Sequence, residues 1–407
     1  MGKTSGWLIK PQPKLGTVGL LVLLTVTGLL TPLSIDMYTP AVPHMTEYFD
    51  TTEAIVNLTL VSYYLFFAIG MLVFGPVSDK YGRKPVLLWG IVVYTIGSAF
   101  CAISPFIWFL IGFRVVQALG AGAIGAVSTA IVKDAFSDEI REVVLSVLQV
   151  MFVVGPVLAP VIGALIVQVG IWRDTFWLLT VVGVICVVMS MLFEETLPEE
   201  ERYEGSVMGS IVNLKSAFVN RGFILFLLVP SAFSIPYMAY VSSASYVYIT
   251  TYGLSELSYS LYYAVVAGAT AVGPFVWLLA KRFISARNFT TLLIAISIVS
   301  GVLVLTIGQI NATLFCISFL IFALAESCVR PYTTNILLSQ DIDAGVASSM
   351  INFMDTIVGC VGMAAVMLPW PNYIVGLGAI TVLTMVAIGI EWTALLKSGI
   401  PLKGIKD

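Results

Sequence analysis

Five ionisable residues interrupt otherwise apolar runs of this sequence: Asp36, Arg114, Glu326, Arg330 and Asp355. A charge held in hydrocarbon costs about 2.5–3.5 kcal/mol on insertion scales, so such residues face partners or a wet cavity and mark ion or substrate paths. Counted from the ends of their own runs at about 1.5 Å per residue, Asp36 and Arg114 fall at nearly equal depth, which implies one shared polar cavity. A carboxylate there can take and release a proton, with burial raising its affinity for the proton and the guanidinium lowering it. Asp36 is therefore a candidate coupling acid; the alternative is a structural acid that only neutralises Arg114. Glu326 and Arg330 are spaced i, i+4 with the acid first, the favourable order on a helix face. In the next run Asn352 matches Arg330 in depth and Asp355 matches Glu326. This quartet suits substrate selection or a second protonation site, and it equally suits a self-neutralised network holding two halves in register.

Other chemistry is excluded by what the sequence lacks. A single histidine, His44, leaves no zinc motif and removes the commonest catalytic base, so no catalytic residue and no metal ligand is assigned. His44 follows Pro43 and is expected to be a solvated loop residue. The five cysteines lie in apolar runs without a CxxC spacing and read as small hydrophobes. A net charge of −3 without a basic tract argues against a nucleic-acid partner.

The elements that position these residues follow from composition. Of 407 residues, 59% are hydrophobic and 11% charged, against about 25% charged in soluble domains. The apolar residues form continuous blocks near the roughly 20 residues that cross a bilayer, so the chain is read as an all-α integral membrane protein. Twelve transmembrane helices are expected at 17–42, 54–74, 85–103, 106–132, 143–169, 176–193, 223–248, 259–279, 289–307, 313–337, 345–368 and 373–396. Of the 20 Lys and Arg residues, Arg173 alone falls on one side and Arg114 and Arg330 lie within spans. The others, from Lys3, Lys10 and Lys14 through Lys215 to Lys403 and Lys406, share the opposite side, which assigns both termini to the cytoplasm. Trp172, Trp177, Trp370 and Tyr373 sit near span ends, as interface anchors do. Glu391 lies near a span end and is expected to snorkel.

The longest polar stretch, 194–221, is acidic and separates a six-helix half at 1–193 from a second at 222–407. A basic loop follows the second span of each half, Lys80, Arg83 and Lys84 in one and Lys281, Arg282 and Arg287 in the other. This duplication is a recurrent plan of secondary transporters and predicts two pseudo-symmetric six-helix bundles.

Three motifs sharpen the reading. The loop GPVSDKYGRKPVLL is similar to the major facilitator superfamily signature G-x-x-x-D-x-x-G-R-K, matched at Gly75, Asp79, Gly82, Arg83 and Lys84. The resemblance implies the major facilitator fold, with this cluster as a conformational latch. Span five, VGPVLAPVIGALI, is similar to the antiporter motif G-P-x-x-G-P-x-x-G at Gly155, Pro156, Pro160 and Gly163, with Ala159 replacing a glycine. Arg114, Gln117 and Gly120 resemble the R-x-x-Q-G signature of proton-coupled members with the glycine displaced, and the run from Asp36 to Pro43 resembles the bicyclomycin-resistance (Bcr/CflA) branch of drug exporters. One departure from some related exporters is Gly28, where they carry a second acid.

The resemblance implies a secondary active multidrug efflux transporter of the bacterial cytoplasmic membrane, exchanging protons for small amphipathic drugs or metabolites by alternating access. Protons are the coupling ion, no other cofactor is expected, and the chain is expected to be a monomer in the lipid bilayer. Asp36, Arg114, Gln117, Tyr237, Tyr240, Glu326, Arg330, Asn352 and Asp355 are the candidate substrate-binding residues, with the tyrosines suited to an apolar cavity or, equally, to packing. The alternative is a dedicated transporter of a single metabolite or organic anion bound by Arg114 or Arg330.

Overall fold

The computed structural model describes residues 7–213, 220–340, 342–398, 400 and 403–405. Lys3, Lys215 and Lys406, used above for orientation, lie outside the described residues. Twelve helical segments among the described residues are long and apolar enough to cross a membrane. The chain divides into two compact units, one of Met1–Ala41 and Ser62–Val212, the other of Val42–Val61 and Asn213–Asp407.

The first unit is built from α1 (Gly16–Asp36), most of α3 (Glu53–Tyr81), α4 (Arg83–Ala102), α5 (Ile107–Ala135), α6 (Asp138–Val169), α7 (Trp172–Leu192) and the short α8 (Val207–Asn213). Its closest packing joins α4 to α5 and α7, and α1 to α6. Trp172 is buried here and meets Phe176 edge-on, so it packs inside the unit and is not an interface anchor.

The expected first span is shorter than its apolar run. Helix α1 stops at Asp36, a 3₁₀ turn follows at Thr39–Ala41, and α2 (Val42–Tyr48) resumes. Pro40 has no N–H to offer the Asp36 carbonyl, and the Thr39 hydroxyl donates to it at 2.7 Å instead. The break thus falls beside the acid. His44 is exposed as expected but sits on a helix and not in a loop, with Nε2 2.9 Å from Glu256 Oε1.

The second unit contains α2, the start of α3, α9 (Arg221–Ser245) with a π-helical turn at Tyr246–Thr251, α10 (Glu256–Thr270), α11 (Gly273–Ala280), α12 (Ala286–Leu305), α13 (Ala312–Leu338), α14 (Ala344–Ala365) and α15 (Tyr373–Lys397). Helix α9 packs on α13, α14 and α15, and α12 on α13 and α15. Residues 42–61 are tied into this unit by the His44–Glu256 pair, by the Tyr373 hydroxyl donating to Glu53, and by Asn57 Nδ2 donating to the Met363 carbonyl at 2.8 Å. The span expected as one helix at 259–279 is two, because Pro274 cannot donate to the Thr270 carbonyl.

Candidate functional site

The first unit gathers its polar residues around Arg114, which is fully buried on α5. Its Nη1 donates to the Ser34 carbonyl at 2.9 Å and to Gln117 Oε1 at 2.7 Å. Gln117 Nε2 in turn donates to the Ser98 hydroxyl at 2.8 Å, and Ser98 donates to the Tyr94 carbonyl. The Ser34 hydroxyl donates to the Leu30 carbonyl at 2.6 Å, which leaves the Tyr94 hydroxyl to donate to Ser34 across 2.6 Å. Aromatic faces complete the enclosure: the guanidinium carbon lies 4.2 Å from the Tyr63 ring centroid, 4.9 Å from Tyr38 and 5.7 Å from Phe176. A buried cation is tolerated only with such hydrogen bonds and π-faces around it. Asp36 is buried at 3% exposure, two residues beyond Ser34 at the end of α1.

The antiporter-like residues hold this same stretch of α1. Gly155 lies against the Pro32 ring, and Gly163 lies against the Met37 carbonyl so closely that a Cβ there would collide with it. Ala159 between them is fully buried. The small residues of α6 therefore seat α1 at Pro32 and again at Met37, on both sides of Asp36. Pro156 and Pro160 stand within α6 without ending it.

The latch motif is helical and not the loop expected. Helix α3 continues through Gly75 and Asp79 to Tyr81, α4 starts at Arg83, and Gly82 alone lies between them. Its φ of +101° is accessible to glycine and strained for other residues. Pro85 is tolerated because it stands in the first turn of α4, where N–H groups have no helical acceptor. Arg83 is buried and bonds Asp79 Oδ1 at 2.5 Å, Asp134 Oδ2 at 2.8 Å and the Ser78 hydroxyl at 2.7 Å.

Two acids in this region were missed in the sequence. Asp134, on the last turn of α5, shares Arg83 with Asp79. Glu195 accepts from the backbone N–H of Arg83 at 2.9 Å and of Lys84 at 3.1 Å, so its carboxylate caps the start of α4. Further contacts dock residues 203–205 on the same turn: Tyr203 N–H donates to the Asp79 carbonyl and Lys80 Nζ to the Gly205 carbonyl. The signal was the acid-rich run directly after span six, read only as a spacer. Replacing Glu195 with Ala is expected to cost about 1–2 kcal/mol, the usual scale of an N-terminal cap. A lowered melting temperature of the purified protein checks it.

In the second unit, the structure brings three of the predicted quartet together. Glu326 on α13 is buried and accepts from Arg330 Nε at 2.6 Å, while Arg330 Nη1 donates to Asp355 Oδ2 on α14 at 3.3 Å. Pro331 follows Arg330 within α13. The Arg330 side chain remains 47% exposed although the Glu326 side chain is only 5% exposed. Asn352 is exposed and makes no hydrogen bond to the other three among the described residues. Tyr237 is half-buried on α9, whereas Tyr240 is enclosed, stacked on Phe319 at 4.4 Å and on Tyr263 at 5.7 Å. Tyr248 and Tyr262 stack on each other at 5.0 Å. Most of these tyrosines thus form one aromatic core. Glu391 is half-buried on α15 with a buried carboxylate oxygen, and it is not the freely snorkelling acid expected.

The family model of the Major Facilitator Superfamily matches residues 24–363. The chain belongs to the Major Facilitator Superfamily. It is accordingly a multi-pass membrane transporter and not an enzyme. Among superfamily relatives, it is 29% identical over 355 residues to the "Uncharacterized MFS-type transporter YdgK" of Bacillus subtilis (strain 168), covering 84% of this chain and 87% of that protein. It is 26% identical over 376 residues to multidrug resistance protein MdtL of Escherichia fergusonii, covering 90% and 92%. The superfamily fold is also that of a crystallised peptide transporter POT in complex with sulfate, with a TM-score of 0.76 at 16% identity, 95% of each chain being covered. The human organic anion transporter MFSD10 (TETRAN) superposes with a TM-score of 0.67 at 15% identity, over 95% of this chain and 100% of that one.

Proposed function

We propose that this superfamily member is a proton-coupled multidrug exporter of the Bcr/CflA type, working by alternating access in a bacterial cytoplasmic membrane with both termini inside. The observation that carries the reading is the acid site of the first unit. A buried carboxylate, Asp36, ends a helix whose Ser34 carbonyl, two residues earlier, accepts from a fully enclosed arginine, and the helix bearing the antiporter-like motif grips that helix end on either side. The multidrug resistance relative MdtL supports export of drugs over uptake of a nutrient.

In this mechanism Asp36 alternates between a proton and the drug. Arg114 is held in place by Ser34, Gln117 and three rings, so it presents a fixed positive charge in every protonation state of Asp36. Desolvation favours the protonated acid and Arg114 favours the carboxylate, and their balance sets the pH at which proton and drug exchange. Drug entering from the cytoplasm displaces the proton, and a proton entering from outside displaces the drug. The test is flux in proteoliposomes with an imposed pH gradient, using cationic, neutral and anionic drugs. Accumulation that collapses with a proton ionophore is expected for cationic or neutral amphipathic compounds. Flux indifferent to the gradient would overturn the reading, and gradient-driven flux confined to one organic anion would favour a dedicated anion transporter.

Substrate choice is assigned to the Glu326–Arg330–Asp355 group, because the exposed Arg330 side chain can still meet a ligand while bonded to both acids. The triple substitution Glu326→Gln, Arg330→Gln and Asp355→Asn leaves no member of the group charged and unpaired. It is expected to raise the transport KM of hydrogen-bonding substrates about tenfold, the scale of one charge-assisted bond. Unchanged KM for every substrate would assign the group to structure.

A further inference from the structure

The chain leaves the first unit between Ala41 and Val42 and returns to it between Val61 and Ser62. Residues Val42–Val61 are therefore joined covalently to α1 and to the rest of α3, yet they are packed into the second unit. Three side-chain ties fasten them there: the His44–Glu256 pair, the Tyr373 hydroxyl on Glu53, and Asn57 Nδ2 on the Met363 carbonyl. The first tie is open to solvent, the His44 side chain being 55% exposed and that of Glu256 24%. It is also the one whose charge changes under mild conditions. Histidine ordinarily gains its proton between about pH 8 and pH 5, whereas phenols, amides and carboxylates ordinarily keep one state over that range.

The pair sits at a consequential point of the chain. Helix α1 ends at Asp36, the 3₁₀ turn Thr39–Ala41 follows, and α2 begins directly after it at Val42. His44 thus holds α2 to the first turn of α10 a short distance along the chain from the buried acid. The other titratable groups on the elements concerned are Glu47 and Tyr48 of α2 itself, and Tyr246 and Tyr248 of the π-helical turn packed against α2. No cation stands among them, so a proton on His44 adds ionic attraction to the bond with Glu256 and sets up no opposing repulsion. Without that proton the imidazole can offer Glu256 only a neutral N–H.

We infer that His44 and Glu256 form a pH-sensitive tether: protonation of His44 from the adjoining solution fastens α2 to α10, and loss of the proton loosens it. On the orientation proposed for this protein that solution is the outside, and the role in transport rests on that reading. Acid outside then does two things at once. It loads Asp36, and it fastens the segment that follows Asp36.

The tether is tested with nitroxide labels on cysteines placed at Tyr48 and Leu261, which are 55% and 56% exposed, whereas the five native cysteines are buried. Distance distributions are measured by double electron–electron resonance on the purified full chain in nanodiscs at about pH 5 and about pH 8. Lowering the pH is expected to raise the ratio of short to long distances about two- to fivefold, the scale of an exposed ion pair. His44→Gln and Glu256→Gln should each remove that response. His44→Lys, which keeps its positive charge throughout, should show the acid distribution at both pH values. A wild-type distribution indifferent to pH, or an unchanged response in His44→Gln, would overturn the tether. The distances require neither drug nor gradient, so they are independent of the flux experiment: an intact pH response without gradient-driven flux would overturn the transport role and leave the tether standing.

Discussion

Replacing Asp36 with Asn is expected to abolish proton-driven drug export while leaving the protein folded. The amide keeps the size of the carboxylate and can hydrogen bond at the end of α1, but it cannot bind and release a proton at working pH. Asn carries the charge of the protonated acid, a state that the proposed cycle itself visits, and Arg114 keeps its bonds to the Ser34 carbonyl and Gln117, so the protein is expected to stay folded. Cells expressing Asp36→Asn should be as drug-sensitive as cells lacking the transporter, with normal amounts of protein in the membrane. Wild-type resistance in that variant would remove Asp36 from the coupling step.

Gly163→Ala should be nearly as damaging by a different route. In a helix interior, Gly to Ala ordinarily gains about 1 kcal/mol from propensity alone. At Gly163 the added methyl meets the backbone of Met37, 2.7 Å from its carbonyl carbon and 3.2 Å from its Cα, where no side-chain rotation gives relief. Overpacking typically costs about 1–3 kcal/mol, and a backbone obstacle puts this site at the upper end. Either α6 withdraws or the break after Asp36 moves, and both displace the acid. Gly112 on α5 is the control, since a Cβ there meets nothing within 4 Å. Gly112→Ala should keep full transport, whereas Gly163→Ala should lose transport and several degrees of melting temperature.

The spans were legible because hydropathy reports burial in lipid regardless of what a helix packs on. Interruptions were less legible. The apolar run through Asp36 to Val42 hides a break, since proline and threonine chemistry and not polarity ends α1. The glycines and charges of 75–84 suggested a loop, yet a single residue at positive φ suffices to turn the chain between α3 and α4. At the site, Arg114, Gln117, Glu326, Arg330 and Asp355 stood out because charged and amide groups are scarce in these runs. Glu195 did not, because an acid in an acid-rich stretch carries no mark of the helix start it caps. Gly163 was visible as part of a motif, but its contact with Met37 depends on a crossing of helices that spacing along one helix does not encode.

The most direct measurement compares two fluxes in the same proteoliposomes containing Asp36→Asn: drug exchange without a gradient, and drug accumulation under an imposed pH gradient. If Asp36 carries the coupling proton, the variant exchanges drug across the membrane but accumulates none when the gradient is applied, while wild type does both. Gradient-driven accumulation by Asp36→Asn at the wild-type rate would contradict the account.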